Sequence, residues 1–350
     1  MVWLRSLFAL EAGHNNWISG LRFALAFAVP VALCLVAGSP GTGIFVAIGA
    51  FFVANSDLGY QGRTAASSMV CAAIAVPSAT ALGMAMGQWH WPAVVVGFVL
   101  LFGSASLGAA GPTAAAVGVF TSFGYAIGLG LALTDISIPR VCALLIVGGV
   151  YAMVLSFAGR ALGIPAFPPP PDLPQGHSAR HSLMQQLRGW SPTVRRSLAI
   201  AIAGSVALTI VPRIQQTSGV WLVTGALIVL KPDVESTIRA AAARGIGTAL
   251  GALAAGGLAA ATGNAWILLV AAFFTTWWAQ AIVTRSFGIF CILIAPLAVF
   301  MSNLVAPGDW QLAALRSLDV AIGSGIAVAV GALVLPGAVP SIESGGDVGQ

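Results

Sequence analysis

The residues best suited to do chemistry in this chain are its few charged ones, because only 7% of the 350 residues are Asp, Glu, Lys or Arg. They concentrate at residues 231–239, between two apolar segments, with Arg244 just beyond. Cationic side chains bind carboxylates, and the planar guanidinium does so through two parallel hydrogen bonds. The pattern has two interpretations, helix ends anchored at a membrane face or a site for an organic anion. The candidate substrate-binding residues are Arg63, Lys231, Arg239, Arg244 and Trp221.

Carboxylates form the second group of candidates. Asp57 and Asp233 each follow an apolar run and lie in a polar elbow, the bend between two predicted helices. We expect each aspartate to form an ion pair with the arginine six residues later in the same elbow. Asp319 lies inside an apolar segment, where an ionisable residue is a functional candidate by default. Arg316 precedes it by three residues and shares its helix face. A structural ion pair and a proton-coupling carboxylate both remain open for Asp319 and Arg316.

The composition places the chain among membrane proteins. Hydrophobic residues make up 58% of it and its mean hydropathy is +0.96, whereas soluble domains are about half apolar and about a quarter charged. The net charge of +5 comes from single residues near helix ends, which does not favour nucleic-acid binding. The four cysteines lie inside apolar runs without metal-ligand spacing, so we expect no metal site.

The apolar runs predict an all-α polytopic membrane protein with about twelve transmembrane helices. The second and eighth runs are short for a hydrocarbon core of about 30 Å. We expect a first six-helix membrane region at 1–162, a Pro-rich cytoplasmic linker at 163–194, a second six-helix region at 195–336 and a disordered tail at 337–350. The predicted spans lie near 18–36, 42–55, 65–86, 91–109, 113–133, 141–162, 197–211, 219–230, 240–261, 266–283, 287–305 and 317–335.

The two regions are similar to each other at one constant offset. Asp57 and Arg63 fall on Asp233 and Arg239, and Arg140 falls on Arg316. The mate of Asp319 is Ala143, so a role for this carboxylate is confined to the second region. Recurrence of charged positions at one offset indicates a duplication. We therefore expect two parallel six-helix repeats.

The distribution of Lys and Arg predicts the orientation. If the N-terminus is inside, twelve of these cations lie on the inner side, and only Arg140, Arg213 and Arg316 lie outside. We expect a bacterial inner-membrane protein with both termini in the cytoplasm. Six spans in each repeat make the repeats parallel, related by an axis along the membrane normal, an arrangement in which transporters often carry substrate between the halves.

The apolar run with an early Trp, the Pro-Asp elbow and the spacing R-x-x-G-T-x-x-G resemble the fusaric acid resistance family, also called the aromatic acid exporters. This family is akin to the plant aluminium-activated malate channels. The resemblance implies export of aromatic carboxylic acids or related toxic compounds, and it favours Arg239 and Arg244 as substrate-binding residues. The residues that carry it are Trp221, Pro232, Arg239, Arg244, Gly247, Thr248 and Gly251.

The sequence thus predicts a proton-coupled inner-membrane exporter of organic acids, whose partners are a small organic anion and the lipid bilayer. An organic-anion channel and a non-transporting scaffold or assembly subunit are the alternatives, and a homo-oligomer stays open. Walker A, G-x-S-x-G and H-E-x-x-H motifs are absent, so we expect no enzyme activity and no cofactor.

Overall fold

A computed structural model describes residues 2–60, 62–132, 134–164, 186, 189–210, 219–306 and 311–335. The regular elements in this part of the chain are all helices, which confirms the all-α membrane architecture. The predicted linker falls largely outside the described residues, and the predicted tail falls wholly outside them. The helices are α1 (Val2–Leu7), α2 (Trp17–Val36), α3 (Pro40–Asn55), α4 (Gly62–Met86), α5 (His90–Ser106) followed by a short 3-10 turn (Leu107–Ala110), α6 (Pro112–Leu131), α7 (Ile138–Ala161), α8 (Pro192–Ile210), α9 (Gly219–Val229), α10 (Val234–Thr262), α11 (Ala265–Ile282), α12 (Phe287–Val305) and α13 (Gln311–Val334).

Within the described residues, ten helices are long and apolar enough to cross a membrane. The two shorter apolar helices are α3 and α9, the same two that the sequence predicted to be short. At 1.5 Å per residue they extend about 24 Å and about 17 Å, less than a hydrocarbon core of about 30 Å. After α3 the chain is fully buried at Ser56 and Asp57, where a charge needs a protein partner, whereas after α9 it is half-buried at Lys231 and exposed at Pro232.

Helix α10, in contrast, is longer than the hydrocarbon core is thick. Its 29 residues extend about 44 Å. It begins at Val234 because Asp233 caps it, with the carboxylate accepting a hydrogen bond from the Ser236 N–H at 2.8 Å. The sequence interpretation, in which the elbow continues to residue 239, was therefore wrong about the helix start. Glu235 and Arg239 lie on the first two turns of α10, and Arg244 lies deeper on the same helix.

The two sets of six helices make the same pairs of contacts. In the first set α3 packs on α7 and α4 on α6, and in the second set α9 packs on α13 and α10 on α12. Between the sets α2 packs on α11 and α5 on α8, so the first helix of each set contacts the fourth helix of the other. This is the pattern that a twofold-related duplication predicts; the duplication itself stays a prediction.

Helices α10 and α12 approach closely where α10 carries glycine. A Cβ atom at Gly247 would lie 2.8 Å from the Cβ of Cys291, and one at Gly251 would lie 2.1 Å from the carbonyl oxygen of Ile292. In lipid, small residues at i and i+4 allow two backbones to meet, since there is no hydrophobic drive to bring helices together. The crossing places Arg244 of α10 beside α12.

The first prediction concerns this crossing. Gly251→Ala should destabilise the protein by about 1–3 kcal/mol, because the new methyl group meets backbone that has no room to move. Gly257→Ala on the same helix is the control, since a Cβ there meets nothing within 4 Å and alanine favours helix. Thermal unfolding in detergent measures both; equal melting temperatures for the two variants would contradict the packing argument.

Candidate anion site and a buried ion-pair cluster

Asp57 follows α3 and its side chain is fully buried. Arg22 of α2 contacts its carboxylate at 3.0 Å, and Arg160 of α7 contacts the other carboxylate oxygen. Ser156 donates a hydrogen bond to the carboxylate and accepts one from Arg22 at 3.1 Å. The predicted pair of Asp57 with Arg63 is wrong, because Arg63 is exposed and the partners come from α2 and α7.

Asp233, at the matching position of the second set, has a different role. It points away from the core as the cap of α10, and the backbone N–H of Ser236 holds the pKa of this carboxyl below its ordinary value. The predicted pair with Arg239 is also wrong, since Arg239 contacts Glu235 at 2.5 Å and both side chains are exposed. The end of the second short helix therefore receives no carboxylate from its own elbow.

Three cations gather at that end instead, and we call them the cationic cluster: Arg196, Lys231 and Arg244. Arg196 of α8 donates to the Leu230 carbonyl oxygen at 3.4 Å. Lys231 follows α9, lies close enough to Arg196 for the two charges to repel, and has its Nζ 5.2 Å from the centre of the Phe287 ring.

Arg244 completes the cluster from α10. Its side chain is 7% exposed and lies within hydrogen-bonding reach of the Cys291 thiol on α12. Its Nε atom is buried and has no hydrogen-bond partner in the described part of the chain. An unsatisfied buried donor on a charged group is costly, so this guanidinium favours an anionic partner.

The backbone at the break between α9 and α10 is satisfied locally. The Leu230 carbonyl accepts from Arg196, and the Lys231 N–H donates to the buried Thr237 hydroxyl at 3.0 Å. These bonds fix the chain where Lys231 leaves α9. The position of the cluster is thus set by the fold and does not depend on a ligand.

Among the described residues, no carboxylate forms an ion pair with the cationic cluster, whose charges face a phenyl ring, a carbonyl and a thiol. Arg244 is buried and Lys231 is half-buried, whereas Arg196 is exposed at the edge of the cluster. A buried charge without a counter-ion is strongly unfavourable, so the charge of Arg244 above all favours an anionic partner such as a carboxylate.

Helix α1 covers the start of α12 next to this cluster. Gly288 meets the backbone of Leu7 so closely that a Cβ there would lie 2.3 Å from the Leu7 carbonyl oxygen. Arg285 fixes the following segment by donating to the Glu11 carbonyl at 2.9 Å and to Asn15 at 2.7 Å. An anion approaching from this end therefore meets the N-terminal segment first.

A second ionic group lies at the opposite end of α9. Arg316 stacks over Trp221 with 4.5 Å between its guanidinium carbon and the ring centre, and it donates to Ser302 at 2.7 Å. Asp319 is 2% exposed and attracts Arg316. Trp221 is about 15 Å along the helix from Lys231. The structure therefore separates Trp221 from the cationic cluster.

Sequence reasoning singled out Lys231 and Arg244 but missed other members of both sites. The constant offset pairs Asp57 with Asp233, which differ in role, and it does not reveal contacts from neighbouring helices. A usable signal was present, because arginine stands near the start of both apolar helices, Arg22 in α2 and the pair Arg195 and Arg196 in α8. The missed residues are Arg22, Ser156, Arg160, Arg196 and Cys291.

The second prediction separates the two elbow aspartates. Asp57→Asn should destabilise the protein by about 3 kcal/mol, because it leaves two half-buried arginines without their counter-ion. Asp233→Asn should change the stability by less than about 0.5 kcal/mol, since Asn caps helices about as well as Asp. Unfolding of both variants in detergent measures the difference, and an unchanged melting temperature for Asp57→Asn would refute a structural ion cluster.

Comparison with known proteins finds a family to which part of the second set of helices is similar. Residues 198–330 match the family model described as fusaric acid resistance protein-like. This region contains Lys231, Arg244, Arg316 and Asp319. Neither curated proteins nor solved structures give a match. The kinship to the malate channels stays a prediction. The resemblance inferred from the elbow and its glycines is confirmed, and the second half of this multi-pass membrane protein is fusaric acid resistance protein-like.

Proposed function

We propose that this protein exports organic acids, aromatic carboxylic acids among them, across the bacterial inner membrane, and that the cationic cluster binds the carboxylate. Membrane-spanning helices and the family match support a protein of the transporter type. The observation that carries the proposal is the cluster itself: Arg196, Lys231 and Arg244 meet without a carboxylate partner among the described residues.

The physical basis is the cost of an uncompensated charge. An organic acid entering the cluster exchanges water for guanidinium and ammonium groups, and the cations gain the counter-ion that the fold does not provide. Hydrogen bonds to charged groups are worth about 1.5–3 kcal/mol each. This is enough to hold an anion and still weak enough to release it.

The proposed direction follows from the distribution of basic residues. With both termini in the cytoplasm, the cluster faces the cytoplasm and collects the acid there. The anion then moves between the two sets of helices towards the end of α9 that carries Trp221. Arg239 pairs with Glu235, and Arg63 is exposed without a recorded contact to the cluster among the described residues, so the proposed binding site does not include them.

We further propose that Asp319 couples export to the proton gradient. It is buried in α13 one turn from Arg316, whose other contacts are the Trp221 ring and the Ser302 hydroxyl. Protonation of Asp319 would remove the charge that attracts Arg316, and Arg316 would then favour the arriving anion. Return of the proton to the other side would restore the pair.

The third prediction tests the cluster. Arg244→Gln should reduce uptake of labelled benzoate into inverted membrane vesicles by about 10- to 100-fold, because a charge-assisted contact to the carboxylate is lost. Arg239→Gln is the control: its guanidinium is exposed and pairs with Glu235. Both variants are compared at equal protein levels, with and without a proton gradient.

The outcomes of that assay separate the alternatives. Gradient-dependent uptake that Arg244→Gln alone removes supports the exporter. Uptake that follows the gradient of the anion itself, with no proton requirement, favours a channel. Absence of uptake for benzoate and for other organic anions would refute transport and favour a scaffold.

The fourth prediction tests coupling. Asp319→Asn should abolish the stimulation of benzoate uptake by a proton gradient while benzoate exchange down its own gradient continues, since asparagine cannot carry the proton. Asp233→Asn, an exposed cap residue, should leave the stimulation unchanged. Full stimulation in Asp319→Asn would show that Asp319 and Arg316 form only a structural pair.

A further inference from the structure

The two sets of helices differ in the charges that they place at the end of their short helix. Each has a short helix, α3 or α9, whose end lies inside the bundle next to an arginine of the preceding helix. At the end of α3 the chain supplies a carboxylate, Asp57, to two guanidinium groups. At the end of α9 it supplies cations alone.

The residues that surround the end of α3 differ in chemical type from those at the matching positions of the second half. Ser156 and Arg160, which hold Asp57, fall on Ala332 and Pro336 in the second half of the sequence. The second half has therefore lost the groups that hold an internal carboxylate from the last helix.

The converse holds for the cationic cluster. Arg244 falls on Ser68, which in the first set donates hydrogen bonds to the Ser56 and Ala65 carbonyls. Cys291 falls on Ala115. The second half has therefore gained a guanidinium on α10, and the carboxylate that this guanidinium suits is missing from the described residues.

The wall of the cluster is aromatic. Phe287, under Lys231, is half-buried and stacks with Phe290 one turn along α12, with 6.4 Å between the ring centres. Neighbouring phenyl rings provide a flat apolar surface beside the charges, and aromatic rings pack against one another favourably. An aromatic ring joined to a carboxylate fits both features.

We propose that the carboxylate of an aromatic acid occupies, in the second set, the role that Asp57 occupies in the first. The inference rests on the proposed function and adds the ligand group, its internal counterpart and the residues that receive it. The carboxylate binds between Arg196, Lys231 and Arg244, and the ring lies against Phe287 and Phe290. The first set is permanently filled by its own carboxylate, so the protein has one exchangeable site.

The fifth prediction concerns a variant in which a side chain of the protein itself supplies a carboxylate to the cationic cluster. Cys291→Asp positions an acid next to Arg244, where it should compete with the ligand and weaken benzoate binding at least tenfold. Cys291→Asn has nearly the same shape without the charge, so the difference in benzoate affinity between the two variants measures the effect of the added charge. The melting temperature of the detergent-solubilised Asp variant should exceed that of the Asn variant, because the new pair compensates Arg244. Calorimetric titration with benzoate and thermal unfolding measure these effects.

A second measurement needs no variant. Benzamide has the ring and shape of benzoate without the charge, so it should fail to displace labelled benzoate from the wild-type protein. Equal competition by benzamide, or equal benzoate affinity in the Asp and Asn variants, would overturn the inference even if benzoate is transported. Absence of both binding and transport of benzoate and other organic anions in the wild type would instead refute the proposed function.

Discussion

The cost of an uncompensated charge inside a membrane protein governs the arrangement of both ionic sites. Short helices α3 and α9 are each followed by a buried residue, and the charged residue next in the chain is fully buried in the first case, Asp57, and half-buried in the second, Lys231. Asp57 is compatible with this environment because Arg22 and Arg160 neutralise it. The cationic cluster lacks such compensation among the described residues, and the proposed binding of an anion rests on that difference.

Close packing makes this electrostatic arrangement rigid. Gly247 and Gly251 bring α10 against α12, and Arg244, one turn before Gly247, is placed beside Cys291 by the same crossing. The residues of the sequence pattern R-x-x-G-T-x-x-G therefore act together. The glycines set the distance between α10 and α12, and this distance places the arginine side chain beside α12. A larger residue at either glycine would displace the guanidinium as well as the helix.

Sequence alone predicted what depends on local composition. The helical membrane architecture and the two short helices follow from apolar runs. A binding role for Lys231 and Arg244 stays a prediction. The predicted pairs of Asp57 with Arg63 and of Asp233 with Arg239 were wrong, because spacing along an elbow does not show which helices pack around it. Arg22 and Arg160 lie far from Asp57 in sequence, and only the packing of α2 and α7 on α3 brings them together.

The two halves differ at the ends of their short helices, where the first half holds a fixed carboxylate and the second half has cations without one among the described residues. If both ends carried an internal acid, the bundle would be stable and without a site for an anion. If both lacked one, two uncompensated clusters would be buried at a cost to folding. Asp57 stabilises the first half, and the second half, which matches the family, carries both the open cluster and Asp319, whose mate is Ala143. If the proposed function holds, the first half serves mainly as a scaffold, and the asymmetry between the halves provides the binding site.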